Sequence, residues 1–239
     1  MRIESLKLVD VMSRTPVAIG VGDTVSDAIA AMKKHKVREL PVVKDRTAVG
    51  LVSYTSFVER RSIPIGAKVD SIMLPVPRLR PQDGLIEAAE SLVASGIRGA
   101  PVVQGAKMVG FVSRTDLIRA MADAEGLREK SVKEFMTKEP RSVRPDDIVR
   151  KAQIVMEDLN EKALPVVDDG SRLVGVIGMP EVIEVLWRSK ADLPLRSPKP
   201  PRKVYDSRTR TEIRIDSVMT RDVITVTPDD TLKMVAGLM

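Results

Sequence analysis

The apolar positions of this chain follow two rhythms in turn. Val25, Ala28, Ile29 and Met32 recur at i, i+3, i+4 and i+7, as do Leu85, Ala88, Ala89 and Leu92, and later Leu232, Val235, Ala236 and Met239. That spacing lines one face of an amphipathic helix. Ahead of each such helix the pattern predicts a short strand, over 17–21, 78–80, 142–143 and 224–226. After it come two Val-rich runs divided by a polar turn, such as Lys44-Asp45-Arg46 or Asp168-Asp169-Gly170, which predicts a β-hairpin. A second helix closes the unit. An Asp stands before each first helix (Asp23, Asp83, Asp147, Asp230), often behind a proline such as Pro81, Pro145 or Pro228, and is predicted to be the N-cap. The unit reads β-α-β-β-α.

The same unit recurs. Its leading methionines are Met12, Met73, Met136 and Met219, and the first three are followed by Pro41-Val42-Val43, Pro101-Val102-Val103 and Pro165-Val166-Val167. A glycine then opens the next apolar run, at Gly50, Gly110 and Gly175. Met73 follows Met12 by 61 positions and Met136 follows Met73 by 63, a fixed period that marks one supersecondary unit used repeatedly. The copies span 9–62, 69–123, 132–187 and, in part, 215–239. A unit of this size is marginal alone, so the repeats are expected to pair, the first with the second and the third with the fourth. The fourth stops at Met239 inside its first helix, which predicts either further chain or a second subunit covering the gap, and self-association in either case.

Composition narrows the function classes. The chain has 239 residues, is 43% hydrophobic and 30% charged, and contains no cysteine, which excludes disulfides, iron–sulfur clusters and thiolate catalysis. It shows no secretory leader and no apolar run long enough to cross a bilayer, so a soluble, cytoplasmic protein is expected. Amides are scarce and charged residues plentiful, a balance resembling that of thermophile proteins. The formal charge of +6 is concentrated in 188–214, where nine basic residues face Asp192, Asp206 and Glu212 among four prolines. That segment reads as an extended basic insert, and it lengthens the step from Met136 to Met219 to 83 positions.

Taken together, the leading Val-Met-Ser/Thr, the central Leu-Pro-Val-Val and the closing Gly110–Leu117 stretch resemble the cystathionine-β-synthase (CBS) domain. The expected fold is α+β, with tandem CBS repeats paired into modules. Chains with four copies include archaeal proteins and the γ subunit of AMP-activated protein kinase. The resemblance implies a non-catalytic regulatory module that binds AMP, ADP or ATP, with S-adenosylmethionine less favoured, and that signals to a partner protein.

It also implies a site. Only the second repeat carries the full pattern, with Ser113, Arg114, Thr115 and Asp116 at the start of the second helix. In the family the Asp chelates the ribose diol and the hydroxyls meet phosphate at the helix N-terminus. Read as residues alone, Ser113 and Asp116 also form a capping box that needs no ligand. The first repeat would contribute Ser13, Val17 and Ala18 to the adenine edge and Val37 and Arg38 near the phosphate. Glu39 beside Arg38 would repel a phosphate unless it points away or pairs with Arg38. Arg98 and Lys162 hold the column of Arg38 in later repeats, while Ser56 and Glu181 hold that of Asp116.

An enzyme is not expected. The single histidine, His35, lies in a run of lysines, and without Cys or a second His the common nucleophile–base and zinc arrangements are missing. The alternative reading is a scaffold that binds nucleic acid or an acidic protein through the insert 188–214.

Overall fold

A computed structural model of the chain describes residues 3–60, 63–122, 127–191 and 213–239. In chain order the regular elements are α1 (Leu8–Val11), β1 (Ile19–Gly20), α2 (Val25–His35), β2 (Glu39–Lys44), β3 (Thr47–Ser53) and α3 (Tyr54–Glu59). There follow α4 (Leu85–Ala94), β4 (Gly99–Gln104), β5 (Lys107–Ser113), α5 (Arg114–Ala122), α6 (Val149–Asp158), β6 (Ala163–Val167), β7 (Leu173–Gly178), α7 (Met179–Ala191) and α8 (Leu232–Leu238). They form two compact units, Met1–Met136 with Val226–Met239, and Thr137–Thr225.

The first helix of each repeat forms for the reason its periodicity predicts. Val25, Ala28 and Met32 are buried along α2, as are Leu85, Ala88 and Leu92 along α4. In the last copy α8 packs on α5 and Ala236 is buried, but Met239, which follows the helix end at Leu238, is 49% exposed. Helix α2 starts with a reciprocal cap. Thr24 Oγ1 accepts the Asp27 N–H at 3.2 Å, and Asp27 Oδ2 accepts the Thr24 N–H at 2.9 Å. It ends at Lys36 in a left-handed conformation (φ 54°), and the same column holds Gly96 (φ 66°) and Asn160 (φ 53°) in the later repeats.

The aspartate column corrects the expected N-cap. Asp23, Asp83, Asp147 and Asp230 each use Oδ2 to accept the N–H three residues earlier, at Gly20, Arg80, Arg144 and Thr227, over 2.6–2.8 Å. They close the turn that enters the helix, and the cap passes to the next residue, as at Thr24 and Thr231. Local sequence favours Asp at either place, since both satisfy a backbone N–H.

The strands before the helices are shorter than expected. Only Ile19–Gly20 forms a ladder, parallel to Val42 and Val43, while Leu79 and Val143 make single parallel bridges to Val102 and Val166. At 224–226 no strand is assigned, and among the described residues no strand runs beside it. The hairpins follow the pattern closely. Asp45 and Arg46 both have positive φ (50° and 66°), as a two-residue turn between right-twisted strands requires. Each Pro-Val-Val triplet carries a register shift between its two valines.

The first unit holds one five-stranded sheet in the order β1-β2-β3-β5-β4. Its two hairpins pair in the ladder at Thr47 and Lys107, beside a 2.9 Å bond from the Met108 N–H to Arg46 O, so the two repeats are joined less by the ladder than by what packs across it. Leu8, Leu51, Leu79, Leu92, Val112 and Leu117 belong to one buried cluster drawn from both repeats. Backbone exchange reinforces it: Leu8 donates its N–H to Asp83 O at 3.1 Å, and Val69 donates to Asp23 O at 3.0 Å. The later repeats repeat the exchange, with Val132 N–H to Asp230 O at 2.8 Å inside the first unit and Ile215 N–H to Asp147 O at 2.9 Å inside the second. The aspartate turns thus also supply the carbonyls that receive the partner repeat.

Candidate functional site

The start of α5 is built as a reciprocal cap. Ser113 donates its N–H to Asp116 Oδ2 at 2.8 Å and its hydroxyl to the same oxygen at 2.6 Å, and Asp116 N–H returns to Ser113 Oγ at 3.3 Å. The capping box expected from Ser113 and Asp116 is therefore formed. It uses one carboxylate oxygen, and Asp116 Oδ1 has no partner among the described residues. Both residues are half-buried, as are Arg114 and Thr115. Ser13 of the first repeat reaches the same strand, because it exchanges two 2.9 Å hydrogen bonds with Phe111, two residues before Ser113. Val17 and Ala18 lie just ahead of β1, the latter exposed. Val37 follows the left-handed Lys36 and donates its N–H to Met32 O at 3.0 Å, so Arg38 leaves the helix end exposed at the start of β2.

A charged cluster stands where the two central strands begin. Glu39 does not pair with Arg38, as one sequence expectation had it. It crosses to the second repeat, where its Oε1 accepts the Arg98 N–H at 2.9 Å and Gly99 N–H donates to the same carboxylate. Burial pushes the Glu39 carboxyl up, while those two N–H groups and the Arg98 and Arg114 guanidiniums pull it back. Arg98 is pushed down by burial and by the like charges of Arg38 and Arg114, with Glu39 opposing. Arg114 donates Nη2–H to Leu92 O at 3.0 Å, and its Nε is buried without a partner among the described residues. Three guanidiniums and one carboxylate from two repeats thus gather beside the N-terminus of α5. The contrast of Glu39 with Gly99 in the matching column was the only sequence signal for this crossing.

The other copies of the site differ. Ser56 sits fully buried and only completes a cap with Ser53, donating its N–H to Ser53 Oγ at 3.3 Å. In the second unit Glu181 Oε2 accepts the Gly178 N–H at 2.9 Å, and Oε1 accepts the Thr220 hydroxyl at 3.3 Å. Thr220 follows Met219 as Ser13 follows Met12, so the third and fourth repeats bring together the columns of Asp116 and Ser13. Lys162 is turned to Asn160 Oδ1 at 2.9 Å. His35 is exposed at the end of α2. Most of the basic insert, 192–212, lies outside the described residues.

A cleft of about 800 Å³ opens elsewhere in the first unit, lined by Met12, Arg14, Arg78, Arg80, Gln104 and Val109 among others. It contains none of the residues expected to bind nucleotide. Arg78 holds the column of Ala18, so the second repeat places a cation where the first has a methyl group. Among the described residues no helix is long and apolar enough to cross a membrane.

A family model for the CBS domain matches residues 8–62, 69–123, 132–188 and 215–239. Protein MJ1225 of Methanocaldococcus jannaschii, itself uncharacterized, is 27% identical over 237 residues, covering 90% of this chain and 81% of that protein. The crystal structure of MJ1225, described as a proposed archaeal homolog of g-AMPK, matches with a TM-score of 0.77 at 23% identity over 98% of this chain and 89% of its own. An uncharacterized conserved protein from Pyrococcus horikoshii matches with a TM-score of 0.59 at 25% identity, over 97% and 85%. The family matches fall on the same β-α-β-β-α units that carry the exchanged turns and the Ser113–Asp116 cap, and the chain belongs to the CBS-domain family, with four CBS repeats of which the fourth is partial.

Proposed function

We propose that the first unit binds an adenosine nucleotide (AMP, ADP or ATP) at the N-terminus of α5, and that the chain is a non-catalytic regulatory module passing ligand occupancy to a partner protein. One observation carries this reading: the Ser113–Asp116 cap, with a carboxylate oxygen to spare, lies beside Ser13 and beside the Arg38, Arg98 and Arg114 cluster. A carboxylate offers two acceptor oxygens, as a vicinal diol requires, and a helix N-terminus with guanidiniums near it favours a phosphate. The same cations disfavour the sulfonium of S-adenosylmethionine.

Calorimetric titration with adenosine, AMP, ADP, ATP and S-adenosylmethionine tests the reading. Heat is expected for the nucleotides, with a weaker response to S-adenosylmethionine, and Asp116→Ala should weaken every adenosine ligand. Unchanged affinity in a folded Asp116→Ala protein removes the site assignment. The reading includes self-association, and a strict monomer by light scattering over a wide concentration range removes that part alone.

A further inference from the structure

We propose that Glu39 sets how much phosphate the Asp116 site accepts, favouring a nucleoside monophosphate over the di- and triphosphate; this rests on the adenosine reading above. Glu39 belongs to the first repeat yet is fastened to the second, through the N–H groups of Arg98 (2.9 Å) and Gly99. Gly99 lies directly opposite Ser113 in the β4–β5 ladder, and Arg98 O accepts the N–H of Arg114, the first residue of α5, at 2.7 Å. A negative charge of the protein's own is therefore anchored across one strand pair from the helix end that carries Asp116. That helix end is where a ligand anion gains most.

The charge balance gives the preference its direction. Arg38, Arg98 and Arg114 bring three positive charges, and Glu39 removes one, which leaves two. A phosphate monoester carries about −1.5 to −2 near neutral pH, which two positive charges balance. Each further phosphate adds negative charge that meets the Glu39 carboxylate instead of a free cation. The Nε–H of Arg114 is buried beside this cluster without a partner among the described residues. Only one half of the module carries the acid. A Cβ added at Gly99 would lie 2.5 Å from the Phe111 ring, so the second repeat has no room for a side chain in that column.

Glu39→Gln tests this, because the amide oxygen can still accept the Arg98 N–H while the charge is gone. Adenosine, AMP, ADP and ATP are titrated into the full chain and into the variant. The wild-type protein should bind AMP more tightly than ADP or ATP. The variant should raise ADP affinity relative to AMP by about tenfold, the scale on which one unit charge acts near a protein surface at an effective dielectric of about 20. Adenosine affinity should not change. An unaltered ADP-to-AMP ratio overturns the role of Glu39, while the site reading survives if Asp116→Ala still weakens adenosine and AMP. Absence of binding by any of the four ligands overturns both. Loss of adenosine binding in Glu39→Gln assigns the residue to the shape of the site and also overturns the proposal.

Discussion

Met12 lies over Gly110 of the other repeat so closely that a Cβ on the glycine would be 2.5 Å from the methionine sulfur and 2.9 Å from Ser13 O. The relationship is reciprocal, since a Cβ on Gly50 would lie 2.7 Å from the sulfur of Met73, and it recurs at Gly175, 2.8 Å from that of Met219. The methionine and glycine columns of the repeat are therefore two halves of one contact. Met136 is 42% exposed and meets no glycine among the described residues. At Gly110 the close approach brings Ser13 onto β5, two residues from the cap of α5, so the packing contact also positions Ser13 beside the proposed site.

Gly110→Ala should destabilise the protein by about 1–3 kcal/mol, the usual cost of overpacking. Two of its three nearest contacts are with the Met12 side chain, but the third is the backbone oxygen of Ser13, which cannot rotate away. Gly50→Ala should cost less, because its three contacts all belong to the Met73 side chain. Chemical denaturation of both variants checks the order. Met12→Ala added to Gly110→Ala should restore only part of the loss.

The capping of α5 by Asp116 and its proposed binding of a ribose diol separate experimentally. Replacement by Ala removes the carboxylate that accepts the Ser113 N–H and hydroxyl, leaves the Ser113 Oγ cap of the residue-116 N–H, and should lower stability by about 0.5–1.5 kcal/mol without ligand. It should also weaken an adenosine ligand by about 1.5–3 kcal/mol, the scale of hydrogen bonds to a charged group. Ser113→Ala removes the hydroxyl half of the same cap and leaves the carboxylate. A matching stability loss with a smaller loss of affinity would separate capping from diol binding, and equal losses of affinity in the two variants would not.

Lys36 occupies a left-handed position that its counterparts fill with Gly96 and Asn160. Lys36→Gly should therefore stabilise the protein by about 0.5–1 kcal/mol, after the entropic cost of glycine offsets part of the relieved strain. A rise in melting temperature is the expected readout. A fall would mean that the lysine side chain supplies more than its backbone costs.

Asp147 predicts acid sensitivity in the second unit. Burial pushes its carboxyl up, but the Lys151 ammonium at 2.7 Å and the Arg144 N–H at 2.8 Å, with the charges of both residues, outweigh that and hold it below its ordinary value of 3.8. Its folded-state value is depressed, so its contribution is present above 3.8 and is lost as pH falls through the lower folded value. Asp147→Asn should lose less stability than the wild-type chain between neutral and strongly acid pH. Parallel denaturation curves for the two at every pH would contradict this.

The repeat order, the buried faces of α2 and α4, the hairpin turns and the intact second-repeat motif were all legible in the sequence. Each is local. A helix face follows from spacings of three and four residues, a hairpin from two turn residues, and a repeat from comparing columns. The aspartate column was placed one step wrong for a related reason. Capping a helix and closing the preceding turn ask for the same short acceptor, and only the backbone path decides which N–H it meets.

What the tertiary structure alone decided is which repeat each side chain serves. Met12 meets Gly110, Thr220 meets Glu181, and Glu39 meets Arg98 across 59 positions of sequence. No periodicity predicts such pairs, because they depend on how two units bury their shared face. That burial holds Glu39 against the neighbouring repeat and the three arginines beside one helix end. The residues of the proposed site were candidates read from the chain, but the charge balance around them exists only once the repeats are packed together.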